Sequence, residues 1–404
     1  MIDDHSSTVT DPLLRFRAEF PILERSTYLV SNSLGAMPRG ARERLREYAD
    51  AWDEWGVRAW ARGWWDMPMR VGDELAPLLG ARSGEVAMVP NVSIAQAAIV
   101  SALDYTGGRD TIVTTALDFP SVRYVYERLA RRLGARVVVV PSDDGLSIDE
   151  ERLLAAIDER TRLVAVSHVL FRSAWVVDAA AVCRRAREVG ALVALDGYHA
   201  VGVLPVDVHA LDADFYTGGV LKWLCGGPGG AFLWARPALS RVLTPAVTGW
   251  QAHQRPFAFE ERMAYADGAR RWLGGTPPVP ALHAAIEGPR LLREAGVAAV
   301  RAKSMRQTAR LVELAERRGF PVRAPRDPAR RGGTVAFDID HAYEVAQYLL
   351  AHDIVVDYRP GAGIRVAPHF YTTDAELERA VDAMAEALAT GAWREHAGRT
   401  SVVT

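Results

Sequence analysis

Lys222 and Lys303 are the only lysines in a chain whose other basic side chains are arginines. Lys222 follows an apolar stretch of small residues and precedes a glycine-rich run at 226–230. A lysine in such surroundings is poorly solvated, which lowers the pKa of its amine and makes it a nucleophile. Lys303 belongs to an arginine-rich helical stretch, where we expect a solvated surface residue. We therefore assign amine chemistry to Lys222.

Two other segments carry polar groups that could act together with a buried amine, namely a carboxylate and the start of a helix. Asp196 closes the apolar run 193–196, so its carboxylate is expected at the end of a buried strand. Residues 91–96 follow another short apolar run and begin a helix, where free backbone N–H groups and the Ser93 hydroxyl suit a phosphate. Taken singly, Asp196 could equally be a turn residue, and 91–96 an ordinary capped helix start.

The stretch from about residue 83 to 235 alternates short apolar runs with amphipathic segments. The runs are nearly continuous in Val, Ile, Leu and Ala, which is typical of strands buried on both faces of a parallel sheet. Ligands of such sheets lie at the carboxyl ends of the strands, so the three segments should meet at one edge. The predicted elements are strands Ile112–Thr115, Arg136–Val140, Leu163–His168 and Ala191–Asp196, and helices Ser121–Leu133, Ile148–Ile157 and Asp178–Val189.

The character of the sequence changes after about residue 256. Prolines at 277, 278 and 280 interrupt the chain, and a long helical stretch then runs to about Arg318. Short strands and two helices follow, which predicts a smaller α+β domain. We expect an N-terminal segment 1–45 that packs on the others, a large domain 46–275 and a small domain 276–404. The predicted small-domain elements are strands Val335–Ile339, Ile354–Tyr358 and Gly363–Val366, and helices Ala342–His352 and Asp374–Leu388.

Composition excludes several classes of protein. The 404 residues are 49% hydrophobic and 24% charged, so a large core is available, and the net charge of -2 gives no basic field for nucleic acid. Two cysteines, Cys183 and Cys225, are too few for a disulfide scaffold or a four-cysteine zinc site, and we predict no metal. The acidic N-terminus does not resemble a secretory signal. The sequence contains no run of about 18 uncharged apolar residues, so we expect no membrane span. We expect a cytoplasmic enzyme.

The order of the three segments, with Lys222 about 26 residues after Asp196, is similar to that of fold-type I pyridoxal phosphate (PLP) enzymes. Within that class, the chain resembles the kynureninase family of the class V aminotransferase superfamily from about Phe20 to Leu388. Each motif alone is weak, but their joint order is specific. The resemblance rests on 28–35, Trp55-Gly56, Gly63-Trp64, Pro68, Phe119-Pro120-Ser121, Phe171-Arg172-Ser173, Asp196-Gly197-Tyr198-His199, Gly249-Trp250, Asp357-Tyr358-Arg359-Pro360, Ile364-Arg365 and Tyr371.

The resemblance implies an α/β fold-type I architecture, in which a large domain with a mostly parallel seven-stranded sheet carries PLP and a smaller α+β domain follows. It also implies a homodimer with shared active sites. Lys222 would carry the cofactor as a Schiff base and move protons, Asp196 would hold the pyridinium with His199 nearby, and Arg365 would clamp the carboxylate of an amino-acid substrate. The other implied cofactor contacts are Val92, Ser93, Phe119, Ser121, Ser173, Trp250 and Thr276, of which the last two come from the same or from the neighbouring subunit. The other implied substrate contacts are Asn32 and Ser33.

The sequence departs from the family pattern at four places. Leu221 stands where kynureninases have a tyrosine that binds phosphate and is assigned a proton-donor role. Val122 replaces an aspartate, Thr276 replaces an asparagine, and the stretch 56–64 is shorter than its counterpart in bacterial relatives. These departures suggest that cofactor binding is retained, whereas the substrate or the type of reaction differs from that of the family.

Three functions remain open. The first is a kynureninase-like hydrolase that cleaves the Cβ–Cγ bond of kynurenine or a related 4-oxo amino acid, giving alanine and an anthranilate-type acid. The second is an aminotransferase, or another lyase or elimination enzyme of specialised metabolism, on the same cofactor. The third is a catalytically silent scaffold, which the Lys222–Asp196 pair disfavours. A cysteine desulfurase is disfavoured because that branch needs a nucleophilic cysteine in the small domain. No cysteine follows Cys225 in this sequence.

Overall fold

The computed structural model describes residues 11–398. The strands are β1 (Thr27–Tyr28), β2 (Val86–Val89), β3 (Thr111–Thr115), β4 (Arg136–Val140), β5 (Thr161–Ser167), β6 (Leu192–Asp196), β7 (Phe215–Gly219), β8 (Ala231–Ala235), β9 (Val322–Arg323), β10 (Val335–Phe337), β11 (Ile354–Val355), β12 (Asp357–Arg359) and β13 (Gly363–Val366). The α-helices are α1 (Arg39–Trp55), α2 (Met67–Leu75), α3 (Val92–Ser101), α4 (Pro120–Leu133), α5 (Glu150–Ala155), α6 (Ala179–Val189), α7 (Leu239–Val242), α8 (Val279–Ala284), α9 (Glu287–Ala295), α10 (Val297–Arg318), α11 (Ala342–Ala351) and α12 (Asp374–Thr390).

Seven strands form the predicted central sheet, in the order β2-β8-β7-β6-β5-β3-β4. The five strands from β7 to β4 in this order are parallel, and β8 runs antiparallel to both of its neighbours. Strand β2 therefore points the same way as the parallel set. The carboxyl ends of β2, β3, β5, β6 and β7 share one edge, which is where open α/β sheets bind ligands.

Helices cover both faces of this sheet, which explains the continuous apolar runs in the sequence. On β6, Val193 and Leu195 face a core that contains residues of α2 and α6. Ala194, between them, faces a second core built with α3 and α4. Because successive side chains of a strand point to opposite faces, both faces need apolar residues when both are covered.

The C-terminal part carries its own core. Strands β12, β13, β10 and β9 form a four-stranded antiparallel sheet, against which α10, α11 and α12 pack. A capping box between Thr373 and Glu376 begins α12. Strand β1 pairs in parallel with β11, so the N-terminal segment is attached to the C-terminal part. The domain boundaries at 45 and 275 stay predictions.

Local sequence predicted most elements but not all of their limits. The helix predicted over Ile148–Ile157 is the shorter α5, because Asp149 caps its first turn by accepting from the Arg152 N–H. The strand predicted over Ile354–Tyr358 is two strands, because β11 pairs with β1 whereas β12 pairs with β13. Pairing partners distant in sequence set these limits.

The prediction for Lys303 was wrong. Its side chain is only 5% exposed. The Nζ atom donates to the carbonyl of Phe370 over 2.7 Å and forms an ion pair with Asp11 at 2.7 Å. Burial lowers the pKa of Lys303, and the Asp11 carboxylate opposes that shift. The second lysine therefore attaches the N-terminal segment to α10 and has a structural role.

Within residues 11–398, none of the helices combines the length and the apolar character needed to cross a bilayer. The same residues hold no group of three or more His, Cys, Asp or Glu side chains placed to bind a metal ion.

Candidate active site

A cavity of about 250 Å³ lies at the carboxyl edge of the central sheet. Each strand end delivers one part of it: β2 leads to α3, β3 to α4, β6 to Asp196 and β7 to Lys222. The cavity is lined by Asn91, Val92, Ser93, Phe119, Ser121, Val122, Ser167, Val169, Phe171, Asp196, Tyr198, His199, Leu221 and Lys222. The structure thus brings seven of the predicted site residues into one space, namely Val92, Ser93, Phe119, Ser121, Asp196, His199 and Lys222.

The Lys222 amine is held by its neighbours and poorly solvated. Its Nζ atom shares a hydrogen bond of 2.7 Å with Nε2 of His199. Burial lowers the pKa of Lys222 to about 7, and the positive charge of Arg365 adds to this shift while Asp196 opposes it. Burial also keeps the pKa of His199 well below its usual value, so the imidazole is neutral and can accept from a protonated amine. A lysine of this kind is part nucleophile and part acid near neutral pH.

The Asp196 carboxylate is buried, and only one of its two oxygen atoms accepts a hydrogen bond from the described residues. Its Oδ1 atom accepts from the backbone N–H of Tyr198 at 2.9 Å, and among residues 11–398 no partner binds Oδ2. Burial raises the pKa of Asp196 to about 6, whereas the Tyr198 N–H and the Lys222 charge oppose the shift. A buried carboxylate with a free oxygen fits a cationic N–H group in the cavity, such as a protonated pyridine ring.

Aromatic rings surround the Lys222 amine. Its Nζ lies 4.5 Å from the centre of the Tyr198 ring and 5.7 Å from that of Phe119. Phe119 is 43% exposed and meets Phe171 edge to face at 5.2 Å, so the two rings stand at the cavity mouth. This placement suits a planar ligand ring that enters from the mouth.

The N-terminus of α3 forms the polar end of the cavity. The Asn91 side chain accepts from the Ile94 N–H, which leaves the N–H groups of Val92 and Ser93 at the first turn. Buried Gln96 on the same helix donates to Thr217 of β7 at 2.8 Å and accepts from the hydroxyl of Tyr126 on α4. This network fixes α3 against the sheet. Free first-turn N–H groups beside the Ser93 hydroxyl suit a phosphate.

Arg365 lies outside the cavity lining and is paired. On the neighbouring strand, the carboxylate of Asp357 accepts from Nε of Arg365 at 2.9 Å and also from Nη2. The carbonyl of Phe171 accepts from Nη1 at 2.7 Å. Arg365 is 3% exposed and Asp357 is fully buried, so this is an interior ion pair. Two of the five N–H groups of this guanidinium have no partner among the described residues.

The other predicted residues also lie outside the cavity lining. Asn32 is fully buried, and neither amide atom of its side chain has a partner. The Ser33 hydroxyl accepts from Arg359 at 3.4 Å, and that of Ser173 accepts from the Trp175 N–H at 3.2 Å. Trp250 is 37% exposed, and Thr276 lies on the surface. Their roles stay predictions.

Sequence reasoning missed several residues that line the cavity. Asn91 could have been identified as the cap that precedes α3, and Ser167 as a residue near the carboxyl end of the predicted strand Leu163–His168. Tyr198 lies between Asp196 and His199 but carried no expectation of its own. Val169 and the ring of Phe171 belong to a loop whose position depends on pairing with other parts of the chain.

The chain matches the family model for aminotransferase class-V over residues 70–377. It is 33% identical to a kynureninase from Burkholderia pseudomallei (strain 1106a) over 407 aligned residues, which cover 97% of both chains. It is 34% identical to a kynureninase from Pseudomonas fluorescens, over 95% of this chain and 94% of the relative. This chain belongs to the kynureninase family of the class-V aminotransferases.

A solved structure agrees with this family in fold. A mutant of C-DES with glycine covalently linked to the PLP cofactor superposes with a TM-score of 0.84 at 21% identity, covering 92% of this chain and 99% of the other. Like the kynureninase family as a whole, the protein is a PLP-dependent enzyme. The cavity fits that cofactor, since it offers a buried amine, a half-engaged carboxylate and a helix N-terminus within one space.

The departures from the kynureninase pattern lie within this same cavity. Leu221 and Val122 both line it, so a hydroxyl and a carboxylate expected from the family are replaced by aliphatic side chains. Tyr198 is the one tyrosine among the described lining residues. The wall around the cofactor is therefore more apolar than the family pattern implies.

The lowered pKa of Lys222 predicts how its amine reacts with pH. In protein freed of cofactor, the rate of acylation at Lys222 should rise through a midpoint near pH 7, because burial disfavours the protonated amine. Replacing Asp196 by asparagine should move the midpoint lower, since the carboxylate opposes the shift. Peptide mapping after timed labelling would measure both midpoints. A wild-type midpoint above about pH 10, the range of ordinary lysines, would contradict the buried environment.

Proposed function

We propose that this protein hydrolyses the Cβ–Cγ bond of kynurenine or a related 4-oxo amino acid, giving alanine and an anthranilate-type acid. The observation that carries the proposal is the cavity around Lys222, in a chain that aligns with kynureninases over nearly its whole length. One water is consumed for each substrate cleaved: its hydroxyl goes to the acid, and its proton ends on the alanine.

The chain's own residues supply binding and proton transfer. PLP, when bound, would supply the electron sink for removal of the Cα proton and for cleavage of the Cβ–Cγ bond. Neutral Lys222 is placed to take the proton from the substrate Cα at its Nζ and to return a proton later, since its pKa of about 7 allows both states. His199 accepts from the protonated amine and so holds it in position. The Asp196 carboxylate, half of which has no partner among the described residues, would hold the cofactor nitrogen in its protonated form.

The residues assigned to substrate binding are a buried arginine, a buried asparagine and two aromatic side chains at the cavity mouth. The two free N–H groups of Arg365 would bind the α-carboxylate, and Asp357 fixes the plane of the guanidinium for it. Asn32, buried with both amide atoms unpartnered, is a second candidate for a polar substrate group. Phe119 and Phe171 at the mouth would contact the aryl group.

One observation favours a second candidate, a PLP-dependent aminotransferase or lyase. Leu221 and Val122 remove polar groups that the family pattern places around the cofactor, so the enzyme could have kept the cofactor and changed its reaction. Incubation with kynurenine and 3-hydroxykynurenine separates the candidates. Alanine and an anthranilate in equal amounts support hydrolysis. Keto-acid formation that requires pyruvate, without alanine release from the substrate, supports the second candidate and contradicts the first.

We also propose a homodimer in which the partner contributes to the cofactor site. Four aromatic side chains form a surface cluster: the rings of Trp65 and Trp250 meet at 4.7 Å, and Phe257 and Phe259 pack beside Trp250 while being 60% and 76% exposed. Exposed aromatic clusters of this kind are typical of interfaces between subunits. Trp250, a predicted cofactor contact, is part of this cluster, and the N–H of its neighbour Gln251 donates to the carbonyl of Gly274, two residues before the other predicted contact, Thr276.

The dimer is expected to weaken when its proposed surface is charged. Phe257→Asp combined with Phe259→Asp should shift the mass measured by light scattering from two chains towards one, because the contact would bury two carboxylates. Cofactor affinity should fall with it. Tyr124→Asp, on an exposed part of α4, is the matched control and should change neither. A double variant that stays dimeric would place the interface elsewhere.

A further inference from the structure

Tyr198 occupies a position in the cavity that no role described so far requires. It follows Asp196 by two residues, and its backbone N–H holds Oδ1 of that carboxylate at 2.9 Å. Its ring lies 4.5 Å from the Lys222 amine and packs against the core shared by α3 and β7. The side chain therefore lies close to the lysine and packs against the core to which α3 belongs.

A glycine makes room for this ring. A Cβ atom added to Gly219, the last residue of β7, would lie 2.1 Å from both Cζ and the hydroxyl oxygen of Tyr198. Gly219 is not among the residues with positive φ, so its backbone does not require glycine. What requires glycine here is space, because any side chain would displace the phenol.

The phenol is a hydrogen-bond donor without a partner. Burial, and secondly the charge of Asp196, raise the pKa of Tyr198, so the hydroxyl stays protonated throughout the working range of pH. Within the described residues the hydroxyl takes part in no hydrogen bond, and it is not among the polar atoms sealed from solvent. A neutral donor that lies open at a cavity wall can donate to an acceptor on a bound ligand.

We propose that Tyr198 is a cofactor-binding residue whose hydroxyl donates to the phosphate of PLP, and that Gly219 is the residue that permits it. Val92 and Ser93, whose N–H groups begin α3, line the same cavity, and Val92 belongs to the core against which the Tyr198 ring packs. The tyrosine expected at position 221 is a leucine, and Tyr198 is the lining residue that offers a phenol instead. This inference rests on the proposed cofactor site around Lys222 but not on the proposed reaction.

The test compares two ligands that differ only in the phosphate. Full-length protein freed of cofactor is titrated with PLP and with pyridoxal, and binding is followed by visible absorbance. Tyr198→Phe should weaken PLP binding about tenfold or more, as expected for a lost hydrogen bond to a charged group, and leave pyridoxal binding unchanged. Gly219→Ala should lower the preference for PLP in the same direction, because it displaces the ring.

Controls separate this role from a folding defect and from failure of the wider proposal. Tyr124→Phe, an exposed tyrosine on α4, should bind both ligands as the wild type does. Circular dichroism and thermal unfolding should show Tyr198→Phe folded. An unchanged ratio of PLP to pyridoxal affinity in Tyr198→Phe overturns the inference. Wild-type protein that binds PLP but does not cleave kynurenine overturns the proposed reaction and leaves the inference standing.

Discussion

Lys222→Arg should leave a folded, colourless protein whose turnover is slower by at least about 10²–10⁴-fold. A guanidinium stays protonated and cannot form a Schiff base, so the variant loses both covalent attachment of the cofactor and proton transfer at Cα. Lys222→Ala should behave alike, which shows that the added bulk of arginine is not the cause. The measurements are kcat with kynurenine and the visible absorbance that stays with the protein after incubation with PLP and removal of the unbound cofactor.

Lys303→Arg is the matched control for this substitution. Lys303 is also buried, but it binds Asp11 and the Phe370 carbonyl away from the cavity. Its replacement should affect thermal stability and leave the colour and turnover of the folded enzyme intact. A Lys222→Arg enzyme that keeps wild-type colour and turnover would show that the cavity described here is not the place of catalysis.

Asp357→Asn should lower the free energy of unfolding by about 3–5 kcal/mol, the range for breaking one side of a buried ion pair. The substitution leaves the charge of Arg365 uncompensated in the interior, with Arg359 as a second guanidinium at 3.1 Å from the same carboxylate. Chemical denaturation of the two proteins under identical conditions measures the difference. The KM for the substrate should also rise, because Arg365 would no longer be held in one plane.

The four-stranded C-terminal sheet offers a matched control for Asp357→Asn. Asp338 pairs with Arg323 at 2.8 Å, but both side chains are well exposed. Asp338→Asn should cost no more than about 1 kcal/mol, as exposed ion pairs do. If the two substitutions destabilise the protein equally, the Arg365–Asp357 pair is not the interior contact that the structure describes.

Strand ends explain why so much of the site could be predicted from the sequence. Asp196 is the last residue of one buried strand, and Lys222 and residues 91–96 follow two others, so the geometry of the sheet brings them together. Lys222 could be singled out further, since arginine cannot replace a lysine in a Schiff base. These inferences need only local sequence and the rules of sheet topology.

Contacts between distant segments explain what the sequence did not predict. Nothing in the arginine-rich helix around Lys303 indicates that Asp11 covers it. The pairing of Arg365 with Asp357 depends on the register of β12 and β13, in which the two residues are direct neighbours. The Tyr198 ring fits in the cavity wall because Gly219, at the end of another strand, has no side chain in the space that the ring occupies. Each case requires three-dimensional proximity that local patterns do not contain.

Borohydride reduction of the purified protein, followed by peptide mapping, tests most directly that Lys222 carries the cofactor in this cavity. The amine is one of two lysine side chains, so the labelled peptide identifies the site without ambiguity. We predict a yellow protein that loses its visible absorbance on reduction and carries the pyridoxyl group on Lys222. A label on Lys303, or no label on protein that was saturated with PLP, would contradict the assignment.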